Sequence, residues 1–222
     1  MQRREATADA CRSMRQMETA RLETFSDGVF AIAATLLILD VRLPAGRSVT
    51  DGLLDIWPSY LAYALAFVTI GIMWINHHAV FRQIARVDRT FLTINVFFLM
   101  VIAFVPFPTR VLAAHLQHDA TAVAFAYGVV MTLMAAMYGA LWFYAATGRR
   151  LIAADADQRT VSGISRSFRP GVPIYAIATL SALLSAWLAV GLYLAIATFY
   201  VLESSLFGRD GDSEPVPGRT VK

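Results

Sequence analysis

The sequence predicts an all-α integral membrane protein with six transmembrane helices per subunit. Three observations predict it. Of the 222 residues, 57% are apolar and only 16% are charged, against about 25% charged in a soluble domain. The mean hydropathy of +0.55 is too high for a water-soluble chain of this size. Charged residues also avoid whole stretches of sequence, each near the length of about 20 residues that crosses a bilayer core. This composition excludes a disordered protein and a nucleic-acid-binding arm.

The spans follow in order. The first runs over residues 22–43 and is unusual in carrying Asp27 and Asp40 at its borders. Residues 56–76, 91–109 and 120–146 contain no charged side chain. Pro106 and Pro108, near the end of the third, predict a kink or a stop there. Residues 172–202 are uncharged throughout and are too long for one span, so they divide in two with a turn predicted near residues 187–191.

The basic residues support that division. Six spans place sixteen of the nineteen Arg and Lys residues on the side of the N-terminus, whereas five would leave thirteen there. The positive-inside rule then puts both termini in the cytoplasm of a multi-pass cell-membrane protein. Residues 1–20 mix both charge signs and read as a cytoplasmic segment, not a signal peptide. Residues 21–207 form the transmembrane domain, and the Gly-, Pro- and Asp-containing tail 208–222 reads as disordered. The single cysteine, Cys11, excludes an internal disulfide framework.

The first span holds the informative residues. At about 100° per residue, Leu36 and Leu39 fall within about 40° of Ile32, with Thr35 beside them, and Asp27 falls about 140° away. One helix thus carries an apolar stripe on one face and an acid on the other. An apolar stripe alone is ordinary packing surface, and Ser26-Asp27 alone reads as a helix cap.

Together these residues resemble a known signature. Arg21, Phe25, Ser26 and Asp27 match R-x-x-x-F-S-D, and Ile32, Leu36 and Leu39 match I-x-x-x-L-x-x-L. The run is similar to that of the transmembrane protein 175 family of potassium channels, known from lysosomes and bacteria. The resemblance implies a homotetramer in the lipid membrane, with the first helix of each subunit lining a potassium pore. It also implies that Ile32 forms a hydrophobic gate continued by Leu36 and Leu39, with Thr35 as a selectivity hydroxyl. No cofactor is implied beyond the permeant potassium ion.

The topology adds a separate expectation. Trp74, Asn76 and His77 near the end of the second span, Asn95 inside the third, and Asp27 in the first fall at one level. Buried polar groups need partners, and this set can supply its own. In the family a comparable network brackets the Phe-Ser-Asp motif, which carries that role onto Arg21, Phe25, Ser26, Asp27, Trp74, His77 and Asn95. His77-His78 alone reads as an interfacial pair. His115 and His118 beside Asp119 read as a solvated loop, not a zinc site.

A Thr-Val-Gly-Tyr-Gly carbonyl filter is absent from the sequence, so any selectivity must come from side chains and pore width. Phosphate-binding glycine loops and zinc-protease motifs are absent too, so the chain reads as a non-enzyme that binds no nucleic acid. The competing function is a proton- or cation-coupled secondary transporter with Asp27 and His77 titrating. Against it stand the lack of an inverted repeat and of a charged pair at mid-membrane.

Overall fold

A computed structural model describes residues 2–44, 46 and 48–207, with side chains described from Thr19 to Leu202. Every regular element in it is helical, apart from one isolated β-bridge. Helix α1 runs from Gln2 to Leu36 and tightens into a 3₁₀ turn at Leu37–Asp40. Short α2 (Val49–Asp55) is capped by Ser48, and α3 spans Trp57–Phe81 with Pro58 in its first turn. Helices α4 (Arg89–Phe104) and α5 (Pro106–His115) follow, then α6 (Ala120–Ala146), α7 (Gln158–Phe168), α8 (Gly171–Ser181) and α9 (Ala186–Phe207).

Four of these stretches are long and apolar enough to cross a bilayer: Thr19–Asp40, Trp57–Phe81, Arg89–His115 and Ala120–Arg149. The apolar part of α9, Ala186–Leu202, is shorter, and α8 has 11 residues. Stacked Trp57 and Trp187 mark one rim of the bundle, with ring centroids 6.1 Å apart, as indoles do at a membrane interface.

The kink expected at the prolines lies between α4 and α5. Pro106 has no N–H to offer the Ile102 carbonyl, and the Val105 N–H takes that carbonyl instead at 3.1 Å. The division of residues 172–202 differs from the sequence expectation. The turn occupies residues 182–185, and Trp187 and Gly191 lie within α9. Backbone bonds from Leu183 to Leu180 and from Leu184 to Ser181 close it, and the Ser185 hydroxyl accepts from the Leu188 N–H to start α9. Serine serves as an N-cap without the left-handed backbone that a glycine turn supplies.

Helix α1 packs on α3 and α4, while α6 packs on α4, α5, α8 and α9. At the close contact of α6 with α8 and α9, Gly128 leaves no room for a side chain: a Cβ there would overlap the Tyr193 hydroxyl. At the end of the bundle that carries most of the arginines, the α3–α4 and α6–α7 connections clasp each other. Ala85 N–H donates to Leu151 at 3.0 Å, Ala153 N–H donates to Gln83 at 2.9 Å, and the Arg86 guanidinium donates to the Arg150 carbonyl. The tail 208–222 lies outside the described residues.

Candidate functional site

Helix α1 has two unlike faces. Ser26, Phe30, Ala33 and Leu37 are almost fully buried against the bundle. Ile32, Leu36 and Leu39 are bare, with 61%, 43% and 57% of their surfaces exposed. Thr35 is exposed beside them. The 3₁₀ turn adjusts the stripe: residues i and i+3 eclipse in that geometry, so Leu39 stands more nearly over Leu36 than an α-helical continuation would place it. Large exposed apolar side chains in a continuous row need a partner surface, lipid, or each other.

Thr35 has a specific orientation. Its hydroxyl proton is directed to the carbonyls of Ala31 and Ile32, at 2.9 and 3.0 Å. A hydroxyl so engaged presents its oxygen lone pairs outward, away from its own backbone.

The opposite flank of α1 is fastened by two polar connections. In the first, Trp74 of α3 donates its indole N–H to Asp27 Oδ1 at 2.8 Å. The second is a buried chain across three helices. His77 Nε2 meets Asn95 Oδ1 at 3.1 Å, Asn95 Nδ2 donates to Ser26 Oγ at 3.1 Å, and Ser26 donates to the Leu22 carbonyl at 2.9 Å. With the Asn95 oxygen as acceptor, His77 carries its proton on Nε2. Every donor then points toward the α1 backbone, and His77 Nδ1 alone has no partner.

Aromatic rings enclose His77. Phe81 stacks on it at 4.3 Å between centroids, Phe98 lies parallel at 5.9 Å, and Phe30 meets it edge-on at 5.4 Å. The imidazole is fully buried. The adjacent His78 behaves differently: exposed, it bonds Glu23 of α1 through Nδ1 at 2.7 Å.

Not every residue of the expected network joins it. Asp27 and Trp74 form one pair, and Ser26, His77 and Asn95 form a separate chain. Phe25 is 60% exposed and Arg21 is exposed as well, so both lie on the outside of the subunit. Sequence reading missed the Glu23–His78 pair, although both residues stand within the stretches that it singled out. It also missed the contact between Arg110 and Asp40, at 3.7 Å beyond the stripe. His115 Nδ1 bonds its own helix at the Val111 carbonyl, and among the described residues no group of three metal-ligating side chains occurs.

Comparison with known proteins assigns the family. A family model described as "Endosomal/lysosomal potassium channel TMEM175" matches residues 21–106. The chain is 41% identical over 196 residues to a potassium channel of Chamaesiphon minutus, covering 86% of this chain and 97% of that one. The chain belongs to the TMEM175 family. A potassium channel of Streptomyces collinus is 42% identical over 188 residues, covering 82% of this chain and 91% of that one. The crystal structure of a homolog, from Chamaesiphon minutus, of the lysosomal potassium-selective channel TMEM175 superposes with a TM-score of 0.78 at 39% identity, covering 85% of this chain and 98% of that one. The matched residues 21–106 take in the bare stripe and both polar connections. TMEM175 is a family of channels, not of enzymes.

Proposed function

We propose that this chain is the subunit of a homotetrameric, potassium-selective channel of the cell membrane, with both termini cytoplasmic and α1 of each subunit lining the pore. The bare stripe of Ile32, Leu36 and Leu39 carries the reading. One helix cannot enclose a channel, but four symmetry-related copies turn the same face to a common axis. The stripe then becomes the pore wall, while α3 and α4 hold the other face of α1 in place. The TMEM175 relatives named as potassium channels support the permeant ion.

Each residue has a role in this reading. The Ile32 ring is the narrow apolar constriction, which excludes water and bars ions at rest. Leu36 and Leu39 extend it outward. Between Ile32 and Leu36, the ring of Thr35 oxygens replaces part of a cation's hydration shell and discriminates among cations. Asp27, Trp74, Ser26, His77 and Asn95 fix the position and rotation of α1, and Arg21 and Phe25 at its cytoplasmic entry belong to the assembled tetramer.

Purified protein in liposomes tests the proposal. Passive, non-saturating flux that favours potassium over sodium, from particles with the mass of a tetramer, is the expected result. Saturable flux coupled to a proton or sodium gradient would instead assign a secondary transporter, and an absence of flux would refute the channel.

A further inference from the structure

Helices α8 and α9 leave between them an open apolar groove of about 360 Å³, lined by Ile174 and Ile177 on one side and by Leu192, Ala195, Phe199 and Tyr200 on the other. That volume falls within the range of small-molecule sites, roughly 300–1,000 Å³. From Leu192 to Tyr200 the groove follows α9 for about 12 Å, near the depth of one hydrocarbon leaflet. Apart from the Tyr200 hydroxyl at one end its lining is apolar, so a peptide strand laid along it would bury mostly unpaired backbone groups.

One end of the groove is basic. A Cβ on Gly171 would stand 3.7 Å from the Tyr200 hydroxyl, which places the start of α8 level with Tyr200. Arg169, two residues before Gly171, and Arg166, one turn before that, are both exposed. From Gln158 to Ser181 the sequence carries three arginines and no acid. Glu203 follows Tyr200 in the next turn of α9.

The position in the bundle selects the occupant. Helix α8 packs on α6, α7 and α9, whereas α1 packs on α3, α4 and α5. If the four α1 helices are central, as in the function proposed above, the groove faces away from them toward the bilayer. We propose that it holds an anionic phospholipid of the cytoplasmic leaflet, with an acyl chain between α8 and α9 and its phosphate paired with Arg166 and Arg169. Guanidinium groups suit that role because they donate in a fixed fork to phosphate oxygens.

The test is native mass spectrometry of the purified full-length oligomer, titrated with phosphatidylglycerol or with phosphatidylcholine of the same acyl chains. Phosphatidylglycerol should be retained in preference. The double variant Arg166→Gln/Arg169→Gln should lower its retention roughly tenfold and leave phosphatidylcholine unchanged. Ala195→Trp, at an exposed position inside the groove, should reduce both. Equal retention of the two lipids by the parent protein would overturn the proposal, as would variants that retain lipid unchanged. Dissociation of the oligomer by Ala195→Trp would also overturn it, because the groove would then be a subunit interface. Lipid mass is read independently of ion flux, so this site and the channel reading stand or fall separately.

Discussion

Trp74 donates its indole N–H to the Asp27 carboxylate at 2.8 Å, so α3 holds α1 by the flank turned away from Ile32. The bond crosses between helices and lies outside the stripe, so in the proposed channel Asp27 positions α1 and does not contact the permeant ion. Asp27→Asn keeps the shape but weakens a charge-assisted bond, at a cost of about 1–2 kcal/mol. Thermal unfolding should begin at lower temperature and the yield of tetramer should fall, while the potassium-to-sodium flux ratio of the surviving channels stays at the parent value. A changed ratio in fully assembled protein would contradict this role.

The chain from His77 through Asn95 to Ser26 should act as one unit. Asn95→Ala leaves the buried His77 imidazole without a partner, at a cost of about 1–3 kcal/mol, and leaves Ser26 only its bond to the Leu22 carbonyl. Ser26→Ala removes only the last link. A double-mutant cycle on thermal stability should show strong non-additivity, since Ser26→Ala costs little once Asn95 is gone. Additive losses would mean that the bonds work independently.

Gly128 should tolerate no side chain. A Cβ there overlaps the Tyr193 hydroxyl, and overpacking of this kind costs about 1–3 kcal/mol. Gly128→Ala should therefore destabilise the fold. Tyr193→Phe gives up the bond to the Ala124 carbonyl but removes the nearest overlapping atom, while Thr179 Cβ still stands 2.9 Å from the new methyl. The pair Gly128→Ala/Tyr193→Phe should then be more stable than Gly128→Ala alone in a heat-denaturation series.

Asp88 links acid sensitivity to the basic end of the bundle. Burial pushes its carboxyl up, but the Phe91 amide, the Tyr144 phenol, Arg150 and the Thr90 amide outweigh it and hold the group below the usual carboxylate range. A depressed folded-state pKa contributes stability above the unfolded value of about 3.9 and loses it as pH falls through the folded one. Asp88→Ala removes the cap of α4, at about 0.5–2 kcal/mol. The variant should lose stability at neutral pH and converge on the parent protein in strong acid, as a melting series from pH 7 to pH 2 would record.

Much of this was legible in the sequence because it follows from spacing alone. Asp27 and Ile32 lie on opposite flanks of any α-helix, and charge-free runs mark the second, third and fourth spans. The spacing could not announce the 3₁₀ turn at Leu37–Asp40, which no glycine or proline signals and which moves Leu39 over Leu36. The turn lies at residues 182–185 and not near Gly191 because the chain turns there by short-range backbone bonds and a serine cap. His77 and Asn95 were placed at one level by topology. That Ser26 and not Asp27 completes their chain depends on rotation about α1 and on the aromatic rings around His77. Arg21 and Phe25 match the motif yet lie outside both connections, so matching the pattern does not make a residue part of the network.

The stripe itself yields the sharpest expectation, because its two residue types should separate barrier from discrimination. Ile32 is apolar and bare, and in the proposed tetramer four of them around the axis cannot replace an ion's water shell. Ile32→Asn supplies amide groups that water can wet, so liposome flux should rise severalfold and the resting leak should grow. Thr35 lies less than one turn further along α1, with its proton committed to Ala31 and Ile32, which in the proposed pore leaves its oxygen to face a cation. Thr35→Ala keeps the backbone and nearly the width but deletes that oxygen from all four subunits. Potassium flux should persist while preference over sodium falls toward unity. If Ile32→Asn leaves conductance unchanged in assembled protein, the barrier lies at Leu36 or Leu39. Full selectivity in Thr35→Ala would move the discriminating ring to another level of α1.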